Sequence, residues 1–117
     1  MIFSYDERKA GSYFGNDLYE KCIAVDETAT ASSADVVINI ADAQTIVDAV
    51  FFTESNADGE KYASNVVTSL KVVNNTIKGY NLTMYDYESE ENPAAVKITG
   101  YESGYACKGI LKVQYTK

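Results

Sequence analysis

The sequence predicts an all-β, single-domain protein, an antiparallel β-sandwich or a barrel-like fold. From Tyr80 to Tyr115, apolar and polar residues alternate in three successive segments, which is the period of strands with one buried face. Turn-forming residues separate short segments of this kind along most of the chain, as is typical of sandwiches and barrels. No sequence period of about 20–50 residues recurs, which excludes a repeat array.

Length and composition support one ordered core. The chain has 117 residues, of which 46% are apolar and 23% charged, so it falls among ordinary globular domains. A domain of this size buries roughly two-thirds of its unfolded surface, enough to fold without a metal or a disulfide. Cys22 and Cys107 have no second ligand type nearby, and we expect them to remain thiols.

We divide the chain into residues 1–17, an N-terminal arm or loop, and residues 18–117, the β domain. Gly11 and Gly15 flank Tyr13-Phe14, and two glycines so close together argue against a strand there. The arm is therefore expected to present its aromatic residues without forming part of a sheet.

The β domain begins with a strand over residues 18–25, in which Tyr19, Ile23 and Val25 share one face and Glu20 lies on the other. Residues 27–34 are small and polar and predict a mobile connection. The later strands are predicted at residues 35–40, 46–54, 60–63, 66–73, 80–85, 96–99 and 107–115.

Residues 42–45 are the one place where a helical turn is expected. Good helix formers occur from Ala41 onward, but Val47 to Thr53 is rich in β-branched and aromatic residues. We therefore predict at most a short helical turn at residues 42–45, followed by a strand that is apolar on both faces.

The sequence also predicts the turns between strands and the two faces of the last strand. Residues 55–59 and Asn74-Asn75 carry turn chemistry, and residues 88–93 form an acidic turn. In the last strand the residues predicted to point inward are Cys107, Leu111, Val113 and Tyr115. The residues predicted to point outward are Lys108, Lys112 and Gln114.

Charge and hydropathy exclude several partners. Seventeen acidic residues against ten basic ones give a net charge of −7, which repels a nucleic-acid backbone. No stretch approaches the roughly 20 apolar residues of a membrane helix. Residues 1–9 lack a basic start followed by an apolar stretch, so no signal peptide is expected.

Catalysis is not expected. The chain has no histidine, which removes the usual base for a serine or cysteine nucleophile. It contains neither a glycine-rich phosphate loop nor a dinucleotide fingerprint, and we predict no cofactor. Asp86, Glu88, Glu90 and Glu91 could offer oxygens to a hard cation, but such a run is more often a solvated turn, and we predict no metal site.

Ten tyrosines, with no tryptophan and four phenylalanines, are the compositional excess. Tyr85, Tyr87, Tyr101 and Tyr105 lie on or near strands, where a ring can be buried while its hydroxyl stays hydrated. Tyrosine is enriched at protein interfaces, although packing of the sandwich accounts for about half of the residues.

The order of features across residues 18–115 resembles that of small virion proteins of tailed bacteriophages. The segments that carry the resemblance are Val36 to Asp42, Ile46 to Thr53, Lys61-Tyr62 and Asn92 to Ile98, followed by a small-residue C-terminal strand. Such proteins are commonly β-rich decoration or cement proteins on the outer capsid. The resemblance implies synthesis in the host cytoplasm, location on the capsid exterior and the major capsid protein as partner.

The resulting hypothesis is a non-enzymatic capsid decoration protein, an oligomer that stabilises the shell through aromatic and strand-edge contacts. The residues predicted to contact a partner are Phe3, Tyr5, Tyr13, Phe14, Phe51, Tyr85 and Tyr87. One alternative is a carbohydrate- or receptor-binding sandwich with a tyrosine platform. Another is an acidic inhibitor of a basic partner, which requires carboxylates on one face.

Overall fold

The computed structural model describes residues 4–29, 35–53, 68–73, 76–100 and 106–117, with the backbone alone at 53, 68–73, 76–80 and 106. Eight strands occur in these ranges. They are β1 (Arg8–Tyr13), β2 (Asn16–Thr28), β3 (Asp35–Asn39), β4 (Thr45–Thr53), β5 (Thr68–Val73), β6 (Thr76–Tyr85), β7 (Ala95–Thr99) and β8 (Ala106–Thr116).

The strands form two four-stranded sheets within the described part of the chain. The first sheet has the order β1-β2-β8-β4 and the second has the order β3-β7-β6-β5. Every neighbouring pair is antiparallel, and β4 of the first sheet packs against β6 and β7 of the second. The predicted all-β, sandwich-like fold is therefore confirmed. The described residues include no helix long and apolar enough to cross a membrane.

Strand β8 lies between β2 and β4 and supplies the centre of the core. It pairs with β2 over ten residue pairs, from Tyr19 opposite Tyr115 to Thr28 opposite Ala106. Its four inward side chains are fully buried, and they are the ones predicted from the alternation: Cys107, Leu111, Val113 and Tyr115. Period-two alternation was a reliable guide here because only one face of this strand meets the second sheet.

The second sheet covers this core with smaller side chains. Val96 and Ile98 of β7 are fully buried, and Val36 of β3 lies opposite Ile98 in the same layer. Leu82 of β6 is partly buried against the same cluster. On β7, Val96 and Ile98 therefore point inward, while Lys97 and Thr99 between and after them are only partly buried.

The N-terminal segment differs from the sequence prediction. Residues 8–13 form strand β1, which pairs with β2 as an antiparallel hairpin. Gly11 does not end the strand, because it sits at a bulge between Lys9 and Gly11 and takes a φ of 143°. The prediction that the two glycines prevent a strand was therefore wrong.

The predicted helical turn is replaced by a tight turn. Ala43 N–H donates to the carbonyl of Ile40 at 3.4 Å, and Asp42 has a φ of 62°, in the left-handed region. A short polar side chain tolerates this conformation better than most. Strand β4 then begins directly at Thr45.

Several predicted features lie outside the described residues. They are the turn at residues 55–59, the strand at 60–63, the Asn74-Asn75 turn, residues 30–34 of the mobile connection, and Tyr101 and Tyr105. The strands on either side of residues 74–75 are paired, with Val73 opposite Thr76.

The two cysteines are buried and not joined by a disulfide. Cys107 belongs to the core, whereas Cys22 lies opposite Lys112 on the outer face of the first sheet. Cys107 pairs with Glu27, five residues along β2 from Cys22, so the two Cα atoms are roughly 17 Å apart. This exceeds the reach of a disulfide, which is about 7 Å.

The central position of β8 leads to a first prediction. Leu111 is fully buried. The variant Leu111→Ala should therefore lower the free energy of unfolding by about 2–5 kcal/mol, because a cavity forms in the core. The neighbouring Ile110 lies on the outer face and is only partly buried, so Ile110→Ala should cost about 1 kcal/mol. Urea unfolding of both variants checks this. Equal losses would contradict the assignment of the two faces.

Candidate contact surfaces

The β1–β2 hairpin ends in an aromatic tip, which we define as Tyr13 and Phe14. Tyr13 pairs with Asn16, so Phe14 and Gly15 are the two turn residues. Both have positive φ, 46° at Phe14 and 83° at Gly15, as a two-residue turn compatible with strand twist requires. Asparagine or glycine is usual at the first of these positions, and an aromatic residue there is uncommon.

The aromatic tip is open to solvent. The Phe14 side chain is 90% exposed, the largest value among the large apolar side chains of the described residues, while Tyr13 is 36% exposed. The two rings pack edge to face, with centroids 4.8 Å apart and an interplanar angle of 81°. Burying a phenylalanine side chain is worth about 1.5–3 kcal/mol, so the tip gains free energy wherever a partner covers it.

The outer edge of the hairpin is poorly suited to pairing with another strand. All six residues of β1 are exposed, and the strand carries Arg8, Lys9 and the bulge that ends at Gly11. Charges and bulges on an edge strand oppose pairing with a second sheet. Contact through the tip is thus more favourable than contact through this edge.

A buried carboxylate holds the base of the hairpin to the sheet. Glu20 of β2 has a side chain that is 6% exposed, and it forms an ion pair with Arg8 of β1. From β8, Lys112 Nζ lies 3.2 Å from Glu20 Oε1 and Gln114 Nε2 donates to the same oxygen at 3.0 Å. Burial alone would raise the pKa of Glu20, but the hydrogen bonds from Arg8, Gln114 and Lys112 outweigh burial and lower it.

A second carboxylate ties the segment before β1 to the end of β8. Glu7 accepts a hydrogen bond from the Tyr115 hydroxyl, and Lys117 Nζ lies 2.6 Å from Glu7 Oε1. Lys117 also lies 4.5 Å from the ring centroid of Tyr19, which stacks on Tyr115 with centroids 6.2 Å apart. Hydrogen bonds from Lys117 and Tyr115 lower the pKa of Glu7, whereas burial and the neighbouring Glu7 raise the pKa of Tyr115.

These two carboxylates were not identified as functional or structural residues in the sequence. The alternation places Glu20, Lys112 and Gln114 on the outward faces of their strands, so the sequence did indicate which face each residue occupies. What was missing was the pairing of β2 with β8, which brings Glu20 next to residues more than 90 positions away in the sequence, Lys112 and Gln114. The anchoring cluster becomes visible only when that register is known.

The predicted contact residues divide into distinct groups. Tyr13 and Phe14 meet at the hairpin tip, and Tyr5, in the segment before β1, is 59% exposed. Tyr85 is the last residue of β6 in the second sheet, Tyr87 follows it, and both are exposed. Phe3 lies outside the described residues.

Phe51 was wrongly predicted as a contact residue. It is 1% exposed and lies opposite Leu111 in the core, so no partner can touch it in the folded protein. The neighbouring Phe52 lies opposite Ile110 on the outer face and is partly buried. A bulge between Ile46 and Asp48 shifts the alternation of β4 by one residue, and this shift decides which phenylalanine points inward.

A groove opens on the outer face of the second sheet where β6 ends. Its volume is about 410 Å³, and Ala95 forms part of its lining, with Tyr85 and Asn39 opposite Ala95 on the two adjacent strands. Lys97 Nζ lies 5.6 Å from the centroid of the Tyr85 ring, and hydrogen bonding to Tyr85 raises the pKa of Lys97.

A second hollow, of about 620 Å³, shares Asn39 and Pro93 with this groove. It is lined by the turn at residues 40–44, by Tyr87 and by Lys117. Tyr85 and Tyr87 therefore line two different depressions although they are only two residues apart.

The segment between β6 and β7, which contains the predicted acidic turn, is fixed by hydrogen bonds. Asp86 accepts from the Ile46 N–H at 3.0 Å, and Tyr87 N–H donates to the Gln44 carbonyl at 2.7 Å. The described residues contain no group of three or more acidic or cysteine side chains arranged to hold a metal ion.

Comparisons with family models, curated proteins and solved structures found no match to this chain.

The pKa shifts of Glu7 and Glu20 predict acid sensitivity. Both values are lower in the folded chain than the ordinary value of about 4.3, so the unfolded chain binds more protons in acid. The stabilisation is complete above about pH 5 and is lost as the pH falls through the folded values. Measuring the free energy of unfolding between pH 3 and pH 7 should show this decline.

The variant Glu20→Gln separates the contribution of Glu20 to acid sensitivity from that of the other carboxylates. It should lower the free energy of unfolding at pH 7 by about 1–3 kcal/mol and flatten the pH dependence, because charge-assisted hydrogen bonds are lost. Glu27→Gln, at an exposed position of the same strand, is the matched control and should change stability by less than about 0.5 kcal/mol. A pH profile unchanged in Glu20→Gln would contradict the role of Glu20.

Proposed function

We propose that this protein is a non-enzymatic structural module of a tailed-phage particle, a decoration protein that binds the major capsid protein through the tip of its β1–β2 hairpin. The observation that carries the contact is the 90% exposure of Phe14 at a turn where an aromatic residue is unusual. The choice of a capsid shell as partner rests on the resemblance of residues 18–115 to small virion proteins.

The energetics of such a contact favour an exposed aromatic anchor. Binding energy at protein interfaces is concentrated in a few residues that fill pockets on the partner, and aromatic residues are prominent among them. The ion pair Arg8–Glu20 joins the strands at the base of the hairpin, and Lys9–Asp17, whose Nζ and Oδ1 atoms are 3.0 Å apart, joins them nearer the tip. A tip on an ordered hairpin loses little conformational entropy when it binds.

Removing residues 1–17 would not be a clean test of contact through the hairpin tip. Such a truncation deletes β1 together with Glu7 and Arg8, and it exposes the edge of β2. Loss of binding after truncation would therefore not separate contact from folding. A substitution at the hairpin tip separates a loss of contact from a loss of folding.

The variant Phe14→Asn removes the aromatic ring and leaves the turn intact, because asparagine followed by glycine favours this turn type. We expect the affinity for phage shells to fall about 30-fold or more, as for a hot-spot residue, with the midpoint of thermal unfolding unchanged or raised. Co-sedimentation with purified shells measures the affinity. Light scattering of the protein alone reports whether the tip also joins copies into an oligomer.

Val37→Thr is the matched control, since Val37 is also an exposed apolar residue, 54% accessible, but lies on the second sheet. It should leave shell binding unchanged. Saturable loading that is equally strong for wild type and Phe14→Asn would remove the hairpin tip from the proposal, and absence of loading by wild type would remove the shell as partner.

A further inference from the structure

We infer that the groove beside Tyr85 is a binding site for a short neutral oligosaccharide. This site lies on the second sheet, apart from the hairpin tip, and its occupation does not depend on the proposed capsid partner. The inference rests on the size of the groove, on the chemistry of its lining and on the hydrogen bonds that hold its rim.

The groove has the dimensions of a small-molecule site. Its volume of about 410 Å³ falls in the range of about 300–1,000 Å³ that such sites occupy. Ala95, at the centre of the row Asn39–Ala95–Tyr85, lies at the floor of the groove with a small side chain that is only 5% exposed. A larger residue at position 95 would fill the groove from below.

The lining combines one aromatic ring with hydrogen-bonding groups of both kinds. Seven of the ten lining residues have polar side chains. Asn39 and Asn92 each offer a donor and an acceptor, and Lys97 donates. The carboxylates of the lining, which are those of Asp86, Glu88 and Glu91, accept. Sugar hydroxyls both donate and accept, so they match this mixture more closely than an apolar ligand does.

Tyr85 supplies the surface on which a sugar ring can pack. Its side chain is 43% exposed, and the ammonium group of Lys97 lies 5.6 Å from the ring centroid. The aliphatic C–H groups of a pyranose ring pack favourably on an aromatic ring, whose buried body and hydrated hydroxyl suit an amphipathic ligand. Ala95 and Val37 add apolar contact beside it.

Hydrogen bonds within the chain hold the rim of the groove. Glu88 N–H donates to the Asn92 carbonyl at 3.0 Å, and Asn92 N–H donates to the Ser89 carbonyl and hydroxyl, both at 3.1 Å. At the far end, Ile40 N–H donates to the Ala94 carbonyl at 2.8 Å. A rim fixed in this way avoids the entropy cost of ordering a loop upon binding.

The test is an NMR titration of the isotope-labelled full chain with maltotriose, cellotriose and chitotriose, each up to about 10 mM. We expect at least one of the three sugars to produce saturable shifts confined to the amides of residues 37–39, 85–92 and 95–97. Shifts produced by a tri-lysine peptide but by none of the sugars would assign the groove to a basic ligand and overturn the inference. Absence of saturable shifts with all three sugars would also overturn it.

Matched variants locate the site. Tyr85→Ala should weaken binding about tenfold or more, because the packing surface is lost, whereas Tyr87→Ala should change it less than about twofold. Tyr87 is the appropriate control because it is similarly exposed, at 40%, but lines the other hollow. Equal effects of the two variants would contradict the site.

Filling the groove gives an independent variant. Ala95→Leu should abolish binding, and Asn39→Ala serves as a second substitution if the larger side chain disturbs folding, as thermal unfolding would show. Shell binding through the hairpin tip should be unaffected by all of these variants. Sugar binding retained at full strength in both Ala95→Leu and Asn39→Ala would overturn the assignment of the ligand to this groove.

Discussion

The pairing of β8 with β2 is the constraint on which the rest of the structure depends. It places the four inward side chains of β8 in the core, and its outward side chains Lys112 and Gln114 at the carboxylate of Glu20. One register therefore sets both the packing between the sheets and the attachment of the hairpin. A slip by one residue would exchange the two faces, bringing Lys112 to the core and Leu111 to solvent.

The β domain could be predicted from sequence wherever one face of a strand is buried and the other is not. Strand β8 and residues 96–99 are such cases, since a regular alternation contains the information about the face. The same information was insufficient for Phe51 and Phe52, because a bulge in β4 changes the alternation and leaves no mark in the hydropathy pattern. Local patterns did not distinguish the exposed aromatic residues from the buried ones: Phe14 and Tyr85 are exposed, whereas Phe51 is buried.

The remaining differences have a common origin in backbone conformation and long-range pairing. Gly11 and Gly15 were interpreted as evidence against a strand, yet an edge strand accommodates Gly11 at a bulge. Residues 42–45 contain helix formers, but the left-handed conformation of Asp42 turns the chain directly into β4. The two carboxylate clusters and the groove beside Tyr85 arise from residues distant in sequence, and local patterns do not contain such proximities.

The locations of the two cysteines make the protein suitable for measuring which of its layers opens first. Cys22 lies on the outer face of the first sheet, and its N–H donates to the Ser4 carbonyl at 2.8 Å, so covering of this thiol is linked to attachment of the N-terminal segment. Cys107 is shielded by the packing between the sheets. The rates at which a thiol reagent alkylates the two positions therefore report two separate opening events, release of the edge of the sheet and separation of the layers.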